Sequence, residues 1–223
     1  MICDDAATSL ADVRERIAHT AHTASRGSAD VTLIAISKMH DAEAIRPLIA
    51  AGQRDFGENR VQEAAEKWPA LQAETPGIRL HLVGQLQSNK ADDAVALFDC
   101  IHSVDRASLI VALTRAMAAQ GKRPDCFVQV NIGNETQKGG CALADLPHLL
   151  ATTRDAGLPV IGLMCVPPAD IEAAPFFALL QKLARDHALP ALSMGMSGDY
   201  ETAVMLGATH VRVGSALFGV RGS

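Results

Sequence analysis

The chain has 223 residues, enough for one large core and within the range of a single α/β barrel. Its hydrophobic fraction is 48% with only 4% aromatic, so the core must be built from Ala, Val, Leu and Ile, which favours buried parallel strands under helices over a β-sandwich. Lys and Arg number 20 against 25 Asp and Glu, a net charge of −5 without like-charge blocks, which speaks against nucleic-acid binding.

The N-terminus lacks the basic and apolar regions of a signal peptide, and no apolar run approaches membrane-spanning length, so a cytoplasmic protein without membrane contact is expected. Ser9 followed by Asp12 reads as a capping-box start, with Leu10, Val13 and Ile17 on one apolar face. This predicts a helical extension over residues 1–30 packed on the barrel.

From Val31 onward, apolar runs of strand length alternate with stretches of helix length. The strands are expected at Val31 to Ser37, Arg54 to Phe56, Leu80 to Val83, Cys100 to Ser103, Phe127 to Val130, Val160 to Met164, Ala191 to Ser193 and His210 to Val213. Pro47 interrupts the first predicted barrel helix and costs a backbone hydrogen bond unless the helix starts late or kinks. Leu109, Leu113 and Met117 mark a helix between strands four and five, with Asp105 placed to cap its start and Gly121 its end. After strand six, Phe176, Leu180 and Leu183 form a stripe with Pro175 in the first turn. No linker or repeat divides the chain. The expected architecture is a single (β/α)8 TIM-type barrel domain over residues 1–223, preceded by one extra helix.

The cysteines Cys3, Cys100, Cys126, Cys141 and Cys165 form no C-x-x-C pair, and the eight histidines form no chelating pattern; the former read as reduced fillers and no metal is expected.

In such barrels the working residues sit just after the strands. Lys38 directly follows the first apolar run, where it is either an amine nucleophile freed of its proton by burial or a nearby cation, or a structural lysine snorkelling from the rim. Two Gly- and Ser-rich turns, Ser193 to Asp199 and Val211 to Ala216, end strands seven and eight, where small residues admit an anion to backbone N–H groups and Ser197 and Ser215 add donors. A helix N-terminus behind such a turn contributes about 0.3 to 1 kcal/mol. One such turn is usually just a turn, but two at consecutive strand ends, with a lysine on strand one, point to a ligand carrying both an aldehyde and a phosphate: pyridoxal 5′-phosphate. Arg212, inside an apolar run, needs an acceptor, either a ligand or a partner such as Glu58.

The segments Ala35-Ile-Ser-Lys38, Phe56 to Glu63, His81 to Lys90, Ile101 to Asp105, Gly162 to Met164 and Ser193 to Gly219 resemble the pyridoxal phosphate homeostasis proteins over nearly the whole chain. The resemblance implies the fold of the alanine racemase N-terminal domain, with the cofactor in Schiff-base linkage to Lys38 and Asn59 and Met164 beside its ring. It further implies that Ser197, Gly198, Gly214 and Ser215 hold the phosphate and that Arg212 faces the pyridine nitrogen. Two places depart from the family pattern: Met39-His40-Asp41, where a second lysine and a proline are common, and Arg60, where an aromatic residue is usual.

A racemase of this barrel type would need a second proton donor opposite Lys38, and the one tyrosine, Tyr200, belongs to the predicted phosphate turn. The expected function is therefore a monomeric, non-enzymatic carrier of pyridoxal phosphate in vitamin B6 and amino-acid homeostasis, with apoenzymes as recipients. The alternative is a weakly active amino-acid racemase or related enzyme. Lys90 and Lys138 fall in mouth-side loops and read as solvated charges.

Overall fold

The computed structural model describes residues 2–219. Eight parallel strands close into a barrel in chain order: β1 (Thr32–Ile36), β2 (Asp55–Glu58), β3 (Arg79–Leu82), β4 (Cys100–Val104), β5 (Asp125–Val130), β6 (Val160–Cys165), β7 (Ala191–Met196) and β8 (His210–Val213). Closure comes from β8 pairing with β1, Leu33 against Val211 and Ala35 against Val213. Helices α2 (Ala42–Ala50), α3 (Val61–Glu74), α4 (Ala91–Leu97), α5 (Ala107–Gln120), α6 (Leu146–Asp155), α7 (Ala174–Asp186) and α8 (Tyr200–Met205) connect successive strands, and α9 (Ser215–Phe218) follows β8. The (β/α)8 architecture is thus the one the apolar periodicity predicts.

The extra helix, α1, spans Ile2–Thr23 and so begins well before Ser9, which sits inside it as an ordinary helical residue. Its apolar face is as read: Leu10, Val13 and Ile17 are buried. The helix packs on α2, α8 and α9, and Arg26 ties the segment behind it to the barrel by donating to the carbonyls of Val204 (2.9 Å) and Ala208 (2.8 Å).

Local chemistry explains where other elements begin and end. Asp41 caps α2 by accepting the Ala44 N–H at 2.9 Å, and the helix runs through Pro47 because Glu43, whose carbonyl loses its partner, lies on the solvent side. Pro69 lies on the exposed face of α3 in the same way. Asp105 does not cap α5, which starts one residue later than that reading requires; the carboxylate instead accepts from Arg106 and from the Gly140 N–H. Gly121 ends α5 at φ 67°, in the left-handed region. In α7 the buried residues are Phe177, Leu180 and Ala184, with Phe176 and Leu183 at the edges, so the stripe is rotated by one position from its predicted centre. Cys100, Cys126, Cys141 and Cys165 are buried and free, and burial pushes the Cys141 thiol up to about 12; the side chain of Cys3 lies outside the described residues.

The lower barrel interior is unusually rich in imidazole. His102 stacks on Phe127 with centroids 4.5 Å apart, and His210 meets Phe127 edge-on at 5.0 Å. Burial holds both histidines below the ordinary range, with His81 and Arg212 acting in the same direction, and His210 is brought to about 3. The rings are therefore neutral in the native state, whereas the unfolded chain takes up protons near pH 6.5. Below that pH the unfolded state binds more protons, so stability is lost as pH falls, by about 1.4 kcal/mol per pH unit for each ring. Urea unfolding at pH 7 and pH 5 is expected to show this loss, and His210→Leu is expected to flatten it by one ring's share. An unchanged slope in the variant would contradict the assignment.

Candidate functional site

The C-terminal rim of the barrel opens into a cavity of about 530 Å³, a size suited to a small cofactor. Lys38, Asn59, Ser197, Arg212, Gly214 and Ser215 all line it, brought together from the ends of β1, β2, β7 and β8. Met164 and Gly198 do not. Met164 lies deeper, packed with Cys100, Phe127 and Ala191 inside the barrel, and Val166, two residues on and on the same face, lines the cavity in its stead. Gly198 faces a neighbouring groove beside the segment from Pro167 to Ala173.

Lys38 is half-buried at the first position of a tight turn whose next residue, Met39, adopts φ 62°. Lys67 and Glu63, which the sequence reading misses, clamp this turn together with Glu58, read there as a partner for Arg212. Lys67, on α3, donates to the carbonyls of Ser37 (2.8 Å) and His40 (2.9 Å), and to Glu63 at 3.1 Å. Its Nζ is also 2.9 Å from Oε1 of Glu58, the fully buried end of β2. Glu58 Oε1 accepts in addition from Ser37 Oγ (2.6 Å) and Trp68 Nε1 (2.9 Å), so it is Lys67, Ser37 and Trp68, and not Arg212, that hold this oxygen, while the buried Oε2 has no hydrogen-bond partner among the described residues. Glu63 completes the clamp by accepting the Met39 N–H. Burial raises the Glu63 pKa, but the bonds from Met39 and Lys67 outweigh it and leave the carboxyl below its ordinary value. The residues flanking Lys38 are thus fixed, and Lys38 itself lines the cavity.

The departures from the family pattern find local uses here. His40 lines the cavity and stacks on Phe218 of α9 with centroids 4.2 Å apart, joining the lysine turn to the end of the chain, while Asp41 caps α2. Arg60 is exposed, just before α3.

Across the cavity, the turns after β7 and β8 meet directly. The Gly214 N–H donates to Ser197 Oγ at 3.1 Å, which leaves the Ser197 O–H as a donor toward the cavity, with Ser215 beside it. Asp199 accepts the Met196 N–H at 2.6 Å and closes the first turn. The helices behind these turns have six and four residues, so a helix dipole adds little; anion binding would rest on hydroxyls and local N–H groups.

Arg212 enters the floor of the cavity from β8 and is 5% exposed. It donates to Ser193 Oγ (2.7 Å) and to the Cys165 carbonyl (2.8 Å), and burial lowers its pKa. Asn59 is held close to β3 by Gly84: a Cβ at Gly84 would lie 2.2 Å from the Asn59 carbonyl oxygen, so this glycine allows the close approach. Lys138 is not a solvated charge, since it donates to the Pro167 carbonyl (2.9 Å) and pairs with Glu135 (2.6 Å), whereas Lys90 meets Asp93 at the surface. Among the described residues no helix is long and apolar enough to cross a membrane.

The alanine racemase N-terminal domain family matches residues 9–222. The pyridoxal phosphate homeostasis protein of Pseudomonas aeruginosa is 42% identical over 221 residues, covering 96% of this chain and 95% of the relative. Among solved structures, PipY of Synechococcus elongatus without pyridoxal phosphate superposes with a TM-score of 0.85 at 40% identity, covering 96% of this chain and 99% of PipY. PipY with pyridoxal phosphate bound gives 0.81 at the same identity, covering 96% and all of PipY. A match over nearly the full length, at such identity and with the same barrel, means that the chain belongs to the alanine racemase N-terminal domain family, in its branch of pyridoxal phosphate homeostasis proteins.

Proposed function

We propose that this single-domain barrel is a monomeric cytoplasmic carrier of pyridoxal 5′-phosphate, which it holds as a Schiff base on Lys38 and passes to apoenzymes that use it, taking part in vitamin B6 and amino-acid homeostasis. The observation that carries this reading is the convergence in one cavity of the Lys38 amine and the paired turns of Ser197, Gly214 and Ser215. It is supported by PipY, a relative at 40% identity solved with pyridoxal phosphate bound.

The residues fit the cofactor. Lys38 would meet its aldehyde and Ser197, Gly214 and Ser215 its phosphate, with Gly198 shaping the turn from outside, and Asn59 and Val166 would contact its ring, with Met164 packed deeper in the barrel. Arg212, a permanent donor, would face the pyridine nitrogen. The bound cofactor supplies an electrophilic carbon and an electron-withdrawing ring; an arginine at the nitrogen keeps that ring unprotonated and weakens it as an electron sink. Tyr200 is buried beneath Arg16, whose guanidinium lies 5.6 Å from the ring centroid, and does not line the cavity, so it does not supply the second proton donor of a racemase. Carriage rather than efficient catalysis follows.

The test is chemical trapping. After incubation with pyridoxal phosphate and borohydride reduction, peptide mass mapping is expected to find one pyridoxyl group, on Lys38, and the unreduced loaded protein is expected to restore an apoenzyme. No added mass at Lys38 would overturn the attachment. Rapid exchange of an amino-acid Cα proton in heavy water, lost in Lys38→Ala, would replace the carrier by an enzyme.

A further inference from the structure

Beneath the cavity, the barrel interior holds a row of polar side chains that cofactor binding alone does not explain. Asp55 opens β2 at the lower rim, and His81, His102 and Ser193 stand on β3, β4 and β7. His81 Nε2 is 3.0 Å from Asp55 Oδ1, His81 Nδ1 is 3.0 Å from His102 Nε2, and His102 Nδ1 is 2.8 Å from Ser193 Oγ. The Ser193 hydroxyl also receives Arg212 Nη1 at 2.7 Å. Asp55 keeps 24% of its side chain exposed while the middle three residues are buried, so the chain of contacts runs from the lower surface to the cavity floor.

Its two ends fix its direction. A guanidinium only donates, so Ser193 Oγ accepts from Arg212; a carboxylate only accepts, so the proton of His81 sits on Nε2. A neutral imidazole has one donor and one acceptor, which makes His81 Nδ1 the acceptor of His102 Nε2–H, and His102 Nδ1 the acceptor of the Ser193 O–H. Every nitrogen of both rings is then satisfied without charge. With one proton on His81, the opposite direction would set a ring lone pair against the Asp55 carboxylate.

The surroundings favour the neutral state of His102. The charged and titratable groups around the two rings are Asp55, Cys100, His210 and Arg212, with Arg79 and Asp125 paired at the rim, and burial holds His102 well below its ordinary pKa. The ligand atoms of Cys100, His81 and His102 lie within 4.8 Å of one another, Cys100 and His102 two residues apart on β4 and His81 joining them from β3. Both nitrogens of each ring are already hydrogen-bonded within the chain, which assigns a proton rather than a metal ion to the space between the histidines.

We propose that Asp55, His81, His102 and Ser193 form a directed hydrogen-bond relay that positions Arg212. The carboxylate sets the tautomer of both rings, and the rings orient the Ser193 hydroxyl so that its lone pairs face the guanidinium. Asp55, His81, His102 and Ser193 are positioning residues, acting on the ligand through Arg212. The relay stands on the protein alone; only its effect on ligand binding rests on the proposed cofactor.

The experiment is ¹⁵N imidazole NMR of histidine-labelled protein without ligand, joined to pyridoxal phosphate titrations, for the unmodified protein, Asp55→Asn and Ser193→Ala. In the unmodified protein both rings are expected to carry a proton on Nε2, with Nδ1 accepting. Asp55→Asn, whose amide both donates and accepts, is expected to release the direction and mix the tautomers. Ser193→Ala removes the donor to His102 and an acceptor of Arg212, and is expected to weaken pyridoxal phosphate binding about tenfold. A proton on Nδ1 of either ring in the unmodified protein would overturn the relay, whatever ligand the cavity takes. Unchanged tautomers in Asp55→Asn would overturn the control by the carboxylate, and unchanged affinity in Ser193→Ala the link to Arg212. Failure of the unmodified protein to bind pyridoxal phosphate would sink the proposed function alone, with the tautomers still deciding the relay.

Discussion

Lys38→Ala is expected to lower retention of pyridoxal phosphate at least about a hundredfold, equivalent to ~2.7 kcal/mol, and to abolish the visible absorbance of the loaded, desalted protein. The loss is large because a covalent bond formed by a positioned amine is replaced by phosphate contacts alone, and positioning is what makes such a bond form at low ligand concentration. The turns carrying Ser197, Gly214 and Ser215 stand on β7 and β8 and do not depend on the Lys38 side chain, so weak, phosphate-competable binding is expected to remain. Lys38→Arg keeps the charge but offers a guanidinium in place of the amine, and is expected to behave like the alanine variant. Spectra indistinguishable from the unmodified protein would place the attachment elsewhere, although Lys38 is the one lysine among the described residues lining the cavity.

The residues that proved legible in the sequence are those fixed by local pattern. A barrel strand buried on both faces reads as a continuous apolar run, which is why β1 is visible and, with it, Lys38 just beyond; β8 reads His-Val-Arg-Val, and it is the small residues Gly214 and Ser215 that mark the turn after it. β2 is harder to bound because it reads Asp-Phe-Gly-Glu, and one oxygen of its acidic end is held in the core by Ser37 just after β1 and by Lys67 and Trp68 from α3. The place of Met164 turned on a strand end. β6 runs to Cys165 rather than stopping at Met164, so the interior-facing residue that reaches the cavity is Val166. The Lys67 clamp, the stacking of His40 on Phe218 and the Asp55-to-Arg212 chain each join residues from separate βα units, and no periodicity encodes such meetings.

The second large effect is expected from a residue that touches no ligand. Lys67→Met preserves most of the side-chain length but removes a cation that is only 11% exposed and lies 2.9 Å from a fully buried carboxylate. Glu58 would keep its bonds from Ser37 and Trp68, yet an uncompensated buried charge costs about 3 to 5 kcal/mol. For a chain of this size that is roughly a 10 °C fall in Tm, readable by calorimetry. The carbonyls of Ser37 and His40 also lose their donor, so the turn that presents Lys38 is expected to loosen and cofactor loading to slow. A double variant with Glu58→Gln separates the causes, because the neutral amide removes the stranded charge while the two carbonyls stay unpaired. Recovery of most of the lost stability in the double variant, with loading still slow, is the expected result; a single variant as stable as the unmodified protein would show that the clamp does not hold the turn.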